Sequence, residues 1–169
     1  MEFQELLEQR FSVRSYKTDP VDDDTLTRVL EAARLAPSAA NRKPYQFLVV
    51  HTEGRRDEMQ HIYNREWFLE APIVIFACGL TDEAWHRDDG KSYIDVDVSI
   101  AMDHLILGAA NEGLGACWIG SFDSEAIRAL LGIPDRVRIV AMTPLGYPAI
   151  EAGPKERKTL GELVRYEEW

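Results

Sequence analysis

The segment 95–112 constrains the fold more than any other part of the chain, because apolar residues surround most of the helix that it predicts. Gly113 follows directly, and a glycine at this place is typical of the left-handed residue that ends a helix. A helix this apolar should be buried, either inside a domain or across a contact between two copies of the chain. Its apolar residues are Val96, Val98, Ile100, Met102, Leu105, Ile106, Leu107, Ala109 and Ala110.

Short helices and apolar strands alternate on both sides of this segment. Their alternation predicts an α/β or α+β domain with a central sheet. Segment 81–93 is charged and aperiodic, which predicts a loop or a mobile segment. Helices are predicted over 2–9, 55–65 and 123–131, and a last helical turn and tail in 158–166. A further helix begins at the carboxylates of 22–24 and ends at Pro37. Strands are predicted over 45–50, 72–78, 116–119 and 137–145.

Length and charge limit the class of protein. The 169 residues fit one domain over 1–169 with a real core. The net charge of −10 argues against nucleic acid or an anionic membrane as the main partner, because both need a broad positive face. No secretory signal or membrane-spanning run is recognised, so we expect a cytoplasmic protein. Cys78 and Cys117 each lie in an apolar run and are predicted to be buried, reduced thiols, although a disulfide stays open.

Segment 10–16 (RFSVRSY) is the first candidate binding site. Arg10 and Arg14 lie four residues apart around Ser12. A guanidinium offers a planar fork of donors that matches phosphate oxygens, and a serine hydroxyl adds a further hydrogen bond. On spacing alone, a helix-end turn with two solvated arginines is the simpler interpretation.

Segment 37–44 (PSAANRKP) is the second candidate. Its small residues would let a flat ligand approach the backbone, and Ser38 and Asn41 could bond to heteroatoms of that ligand. The alternative is a loop that only ends a helix, with Pro37 as the breaker and Asn41 in a turn.

Two later segments complete the candidates. Gly120 and Ser121 lie between a predicted strand and a capped helix, where backbone N–H groups can donate to an electron-rich atom. The glycines around them lack the spacing of a dinucleotide-binding fingerprint, so a Rossmann site is rejected. Segment 155–158 (KERK) would add cations to a phosphate site, or is simply a solvated charge run.

No metal site is predicted, because the histidines show no ligand spacing and neither cysteine pairs with a histidine in a metal-binding pattern. The four histidines are His51, His61, His86 and His104.

Taken together, these segments resemble the FMN-dependent nitroreductase family. Segment 10–16 resembles the family's opening motif R-x-S-x-[RK]-x-[FY], and segment 36–45 (APSAANRKPY) resembles A-P-S-x-x-N-x-Q-P-W. Segments 113–122 and 145–148 resemble later landmarks (GLG, WIGSF, LGYP) in the right order, and 157–164 resembles the ending R-x-x-L-x-E-L-V. The resemblance spans nearly the whole chain, and five loose motifs in one order are hard to obtain by chance.

The resemblance implies an α+β fold of the α/β-sandwich type, with helices flanking a central mixed, mainly antiparallel sheet. It also implies a homodimer with two FMN sites, each built from both subunits, and it places the 95–112 helix at the dimer core. At the phosphate and ribityl end, the residues carried over are Arg10, Ser12, Arg14 and Arg157, assisted by Lys155. At the isoalloxazine ring or ribityl chain they are Pro37, Ser38 and Asn41. The backbone of Ile119, Gly120 and Ser121 is placed beside the flavin N5 and O4 edge, and Phe11 and Ala39 lie inside the same motifs.

The chain departs from the family pattern at two positions of the second motif. Lys43 replaces the usual glutamine, and Tyr45 replaces the usual tryptophan. An ammonium near the flavin pyrimidine would favour the anionic reduced form, because opposite charges attract. The segment between Val50 and Ile94, where substrate lids of the family often lie, is also compact. Substrate preference is therefore the inference that transfers least from the family to this chain.

The activity implied is an oxidoreductase in which NAD(P)H reduces FMN and an electron-poor small-molecule acceptor (a nitroaromatic, a quinone or a flavin) is then reduced in a ping-pong cycle. The sequence singles out no catalytic acid or base. Three alternatives stay open: another reaction on the same scaffold, such as flavin cleavage or reductive dehalogenation; a flavin-binding carrier or sensor without turnover; and a scaffold that binds no flavin.

Overall fold

A central antiparallel sheet organises the chain. The computed structural model describes residues 2–169, so Met1 lies outside the described residues. The strands are β1 (Tyr45–His51), β2 (Ile73–Leu80), β3 (Gly115–Ala116) and β4 (Val137–Gly146). They form one sheet in the order β1-β2-β4-β3, and each neighbouring pair is antiparallel.

Helices flank this sheet, and the predicted α+β class is confirmed. The predicted mixed sheet is corrected in detail: within residues 2–169 the only parallel pairing is an isolated bridge between Ser12 and Ala116. The helices are α1 (Phe3–Gln9), α2 (Asp23–Arg34), α3 (Arg56–Ile62), α4 (Glu66–Leu69), α5 (Ile94–Asn111), α6 (Ser124–Leu131) and α7 (Leu160–Leu163).

Local signals position the helix ends as the sequence predicts. The Asp22 carboxylate accepts from the backbone N–H of Thr25 (2.9 Å), and the Asp123 carboxylate caps α6 in the same way. Gly132 ends α6 with φ 66°, in the left-handed region that a glycine adopts without steric cost.

The single helix predicted over 55–65 is wrong, because the chain forms α3 and α4 with a break between them. Tyr63 is extended (φ −153°) and ends α3. Its ring packs edge-on against Trp67 and Phe68, with centroids 5.8 and 5.3 Å away. This aromatic packing turns the chain into the core, which a helical period alone does not reveal.

The strand predicted over 116–119 is also too long. The backbone N–H of Cys117 donates to the Thr143 hydroxyl (3.0 Å), so the backbone ladder with β4 stops after Ala116. Ile119 then returns to β4 through an isolated bridge with Met142.

Segment 81–93 is a loop, as predicted, but it carries local structure. It begins with a 3₁₀ turn, Thr81–Glu83, and His86 then forms a bridge with Ser92. The rings of Trp85 and Tyr93 pack edge-on at 4.9 Å and close the loop at its base.

The core consists of two apolar layers, one on each face of the sheet. Alternate residues of β2 point to opposite faces, and both faces are buried. One face packs against α2 and α5, and the other against α3, α4 and α6. Ile73, Ile75 and Ala77 belong to the first layer, and Val74, Phe76 and Cys78 to the second. Both cysteines are buried and free, as predicted.

The close approach of α5 to α2 gives a test of this packing. A Cβ built on Gly108 would lie 2.7 Å from the Ala32 Cβ, on a methyl that has no rotamer by which to move away. Overpacking of this kind costs about 1–3 kcal/mol, against about 1 kcal/mol gained from the better helix propensity of alanine. Gly108→Ala should therefore lower the free energy of unfolding by up to about 2 kcal/mol in urea titration.

Gly153→Ala is the matched control, because a Cβ there meets nothing within 4 Å. It should change the free energy of unfolding by no more than about 0.5 kcal/mol. A Gly108→Ala protein more stable than the wild type by about 1 kcal/mol, the gain that helix propensity alone would give, would contradict the packing described for α2 and α5.

Candidate functional site

Segment 10–16 is held rigidly along the edge of the sheet. Arg10 caps α1, and the chain then runs beside β3, where Val13 N–H donates to the Ala116 carbonyl (3.0 Å). Val13 is buried at 2 % exposure. Ser12 and Arg14 flank it and are exposed, so their side chains stand on a fixed backbone at the surface.

The Cys117 thiol lies at the base of this surface. Burial raises the pKa of the Cys117 thiol, whereas the positive charge of Arg14, the Ser12 hydroxyl and the charge of Arg10 act to lower it. A negative charge near Cys117 would thus meet the same favourable groups. These polar groups converge as a phosphate ligand requires.

The segment near the C-terminus reaches the same place. The Lys155 Nζ donates to the Glu8 carbonyl at the end of α1. Loss of water and the positive charges of Arg10 and Arg157 lower the pKa of Lys155, and the charge of Glu8 acts to raise it. The structure thus brings together two predicted segments that lie far apart in the sequence. We call Arg10, Ser12, Arg14, Lys155 and Arg157 the basic cluster.

The cations of the basic cluster have no carboxylate partners within residues 2–169. Other arginines of the chain form seven salt bridges, among them Arg28–Glu112 and Arg138–Asp95. Arg14 instead lies over the Trp67 ring, 6.0 Å from its centroid. Like charges that remain together without a salt bridge in a chain of net charge −10 favour the binding of an anion; the charge of Glu8 offsets those of the cluster only at Lys155.

A pocket of about 210 Å³ adjoins the basic cluster. Arg10 and Phe11 line one side, and Ile106 and Ala110 at the C-terminal end of α5 line another. This wall is mainly apolar, so the cluster combines cations with a surface that can contact carbon atoms of a ligand.

Segment 37–43 forms a second group, and its backbone conformation is unusual. Ala40, Asn41 and Lys43 have φ of 48°, 55° and 52°, in the left-handed region that non-glycine residues rarely adopt. Lys43 N–H donates to the Ser38 hydroxyl, and Lys43 Nζ donates to Asn41 Oδ1, each at 2.8 Å. Such conformations cost of order 1–3 kcal/mol each and are concentrated at functional sites. We call residues 37–43 the left-handed loop.

Asp97 anchors the left-handed loop and was not anticipated from the sequence. The Ala39 N–H donates to Asp97 Oδ1 (2.7 Å), and the side chain is only 1 % exposed. A single carboxylate on the buried face of α5, one turn before Ala101, was the available signal: a charge inside an apolar helix needs a partner.

The third group, residues 119–121, offers backbone donors. Ile119 N–H is already bonded to the Met142 carbonyl (2.9 Å). The amides of Gly120 and Ser121 form no hydrogen bond with any described residue, and both residues are exposed. Of the three predicted backbone contacts, Gly120 and Ser121 have donors available for a ligand.

The basic cluster and the left-handed loop lie at opposite ends of α5. Ala110, near its C-terminus, lines the pocket beside Arg10, whereas Asp97, in its first turn, bonds to Ala39. With a rise of about 1.5 Å per residue, these two ends are ~20 Å apart. The chain therefore brings the predicted phosphate-end residues together but leaves the predicted ring-end loop at a distance from them.

Other classes of site are not seen in the part of the chain that the structure describes. Residues 2–169 hold no group of three or more histidine, cysteine or acidic side chains placed to bind a metal ion. Among the same residues, no helix has the length and apolar character needed to cross a membrane.

Comparison with known proteins agrees with this architecture. The sequence model described as the Nitroreductase family matches residues 7–65 and 59–147. A solved nitroreductase family protein from Clostridium difficile is 34% identical and superposes with a TM-score of 0.91. The match covers 100% of this chain and 100% of that protein.

Two curated relatives bear different names. A protein named NADH dehydrogenase from Thermus thermophilus is 29% identical over 92% of this chain and 91% of its own length. A 5,6-dimethylbenzimidazole synthase from Rhodospirillum rubrum is also 29% identical, over 92% of this chain and 86% of its own length. From its sequence and its fold, the chain belongs to the nitroreductase family.

Proposed function

We propose that this protein is an FMN-dependent oxidoreductase that uses NAD(P)H to reduce an electron-poor acceptor such as a nitroaromatic, a quinone or a flavin. The basic cluster, whose cations lack carboxylate partners among the described residues, is the observation that carries the proposal. Bound FMN would supply the redox chemistry, because its ring can accept a hydride from NAD(P)H and pass the electrons on.

The basic cluster would hold the FMN phosphate. Arg10 and Arg14 can each present two parallel N–H donors to phosphate oxygens, and Ser12 adds a hydroxyl from the same rigid segment. Lys155 and Arg157 would close the site from the other side. These groups bind and orient the cofactor and take no part in electron transfer.

The left-handed loop and residues 119–121 would hold the ring end. The free amides of Gly120 and Ser121 can donate to the electron-rich N5 and O4 edge, where negative charge develops on reduction. Asn41 and Lys43, fixed to each other by a hydrogen bond, present an amide and an ammonium from the loop. No side chain with an acid or base role is assigned, and protons would come from water.

A shared site in a homodimer would account for the ~20 Å between the two ends of α5. In each site the basic cluster of one subunit would meet the left-handed loop of the other. Val96, 41 % exposed, Ile100 and Leu107 form an apolar stripe along the outer face of α5, which suits burial against a second copy. The tail also exposes large apolar side chains, at Leu160, Leu163, Tyr166 and Trp169.

Rapid mixing of the FMN-loaded protein with NADH and, separately, NADPH tests the activity. The flavin absorbance should bleach with at least one of them under anaerobic conditions and return when a quinone or a nitroaromatic is added. A protein that holds FMN but bleaches with neither nicotinamide would be a carrier or a sensor. A protein that gains no flavin absorbance with added FMN would overturn the proposal entirely.

Arg14→Ala tests the phosphate role. Removing a charge-assisted hydrogen bond of about 1.5–3 kcal/mol should weaken FMN affinity roughly 10- to 100-fold. The rate of hydride transfer in the protein that remains loaded should change far less, because Arg14 does not contact the ring. Fluorescence titration gives the affinity, and single-turnover bleaching gives the rate.

Arg136→Ala is the matched control for Arg14→Ala, since Arg136 is exposed and lies outside the basic cluster. It should leave FMN affinity unchanged. An Arg14→Ala protein with wild-type FMN affinity would remove the basis of the phosphate assignment.

Lys43→Gln tests the electrostatic role of the departure from the family motif. Loss of the ammonium should lower the flavin midpoint potential by about 20–40 mV, because one nearby charge at the protein surface is worth roughly 1–2 kcal/mol. Lys91→Gln, at the tip of segment 81–93, should leave the potential unchanged. A midpoint potential that is the same in the wild type and in Lys43→Gln would refute this role.

A further inference from the structure

Asp97 is a buried carboxylate, and only one of its two oxygens is hydrogen-bonded to a described residue. Oδ1 accepts the Ala39 N–H at 2.7 Å. Oδ2 is buried and has no hydrogen-bond partner among the described residues. Neither oxygen takes part in a salt bridge within residues 2–169. The Asp97 side chain is therefore a charged group on the inner face of an apolar helix, and it makes a single hydrogen bond.

Burial of such a group is unfavourable for the isolated chain. A carboxylate removed from water without a cation is costly, and an orphaned oxygen adds to that cost. Burial and the negative charge of Asp97 raise the pKa of the neighbouring Tyr45 hydroxyl. An apolar residue at position 97 would cost less to bury in the helix. The benefit of Asp97 must therefore lie in the hydrogen bond that its Oδ1 accepts.

The residue bonded to Asp97 Oδ1 is Ala39, the first residue of the strained turn. Ala39 directly precedes Ala40 and Asn41, which both have positive φ. The loop's own bonds, Lys43 N–H to Ser38 and Lys43 Nζ to Asn41, lie at exposed positions where water competes with them. The Asp97 bond ties the loop to the buried part of α5, and Arg42 adds a bond to the Ala84 carbonyl (3.0 Å).

We propose that Asp97 is a positioning residue that holds the left-handed loop in the conformation in which Asn41 and Lys43 face the flavin ring. It acts through Ala39 and does not touch the cofactor. The inference deepens the proposed function and rests on it. Its consequence is specific: Asp97 serves the ring end of the site and has no effect on the phosphate end.

Flavin affinity with and without the phosphate separates the two ends. FMN and riboflavin are titrated by fluorescence into the wild type, Asp97→Ala and Arg14→Ala. Asp97→Ala should weaken both ligands by the same factor, roughly tenfold or more, because it removes one buried hydrogen bond and releases the strained loop. Arg14→Ala should weaken FMN alone.

Two further variants separate positioning from a general loss of structure. Asp97→Asn keeps an oxygen that can accept the Ala39 N–H, so it should lose less than about threefold in affinity for either flavin. Asp135→Ala removes an exposed carboxylate that lies outside both α5 and the left-handed loop, and it should match the wild type. Far-ultraviolet circular dichroism checks that each variant is folded.

Ala39→Pro reaches the same bond from the other side without altering α5. Proline removes the N–H that Asp97 accepts, and the extended conformation of Ser38 (φ −145°, ψ 160°) is one that tolerates a following proline. Its loss of affinity should resemble that of Asp97→Ala for both flavins. The midpoint potential of the loaded Asp97→Ala protein should also move toward that of free FMN, a change that reduced stability alone would not produce.

The outcomes are distinct for the two levels of the proposal. A wild type that binds neither flavin defeats the proposed function itself. A wild type that binds both, together with folded Asp97→Ala and Ala39→Pro proteins that bind both equally well, overturns the role of Asp97. Weakened FMN with unchanged riboflavin in Asp97→Ala would also overturn it, because the defect would then lie at the phosphate end.

Discussion

The burial of α5 is the interaction on which the rest of the structure depends. Its inner face packs against the sheet and against α2, and the contact is so close that Gly108 has no room for a methyl group. Each end of the helix then positions one group of candidate residues. The C-terminal end supports the wall beside Arg10, and the first turn supports the left-handed loop through Asp97.

Electrostatics adds selectivity to this scaffold. An acidic chain repels anions in general, so an anion site must be small and must keep its cations free. The basic cluster has this form: cations from the two ends of the chain converge on one segment, whereas seven arginines elsewhere pair with acidic neighbours.

Much of the fold could be predicted because its signals are local. The carboxylate caps at Asp22 and Asp123 and the glycine after α6 act on their own helix ends, and the buried strand β2 has an apolar run of its own. The errors came from contacts between distant residues. Aromatic packing divided the 55–65 helix, and the Thr143 hydroxyl shortened β3 by taking the Cys117 N–H.

The candidate site divides in the same way. Motif order led to the segments that form the basic cluster, but spacing could not show that Lys155 reaches Arg10. Asp97 was missed because α5 carries three aspartates, and the one signal, its position one turn before the buried Ala101, does not identify its partner Ala39 on another element. Backbone strain in the left-handed loop was visible only at Asn41, because asparagine adopts positive φ more readily than other non-glycine residues, whereas Ala40 and Lys43 carry no such signal.

The central claim is that each flavin site joins the basic cluster of one subunit to the left-handed loop of the other, and subunit mixing tests it most directly. A heterodimer is prepared from one subunit with Arg14→Ala and a differently tagged subunit with Asp97→Ala. Shared sites place both defects in one site and leave the other intact, so the heterodimer should bind one FMN with wild-type affinity. If two weakened sites and no wild-type site were found, each site would lie within a single chain, and shared sites would be contradicted.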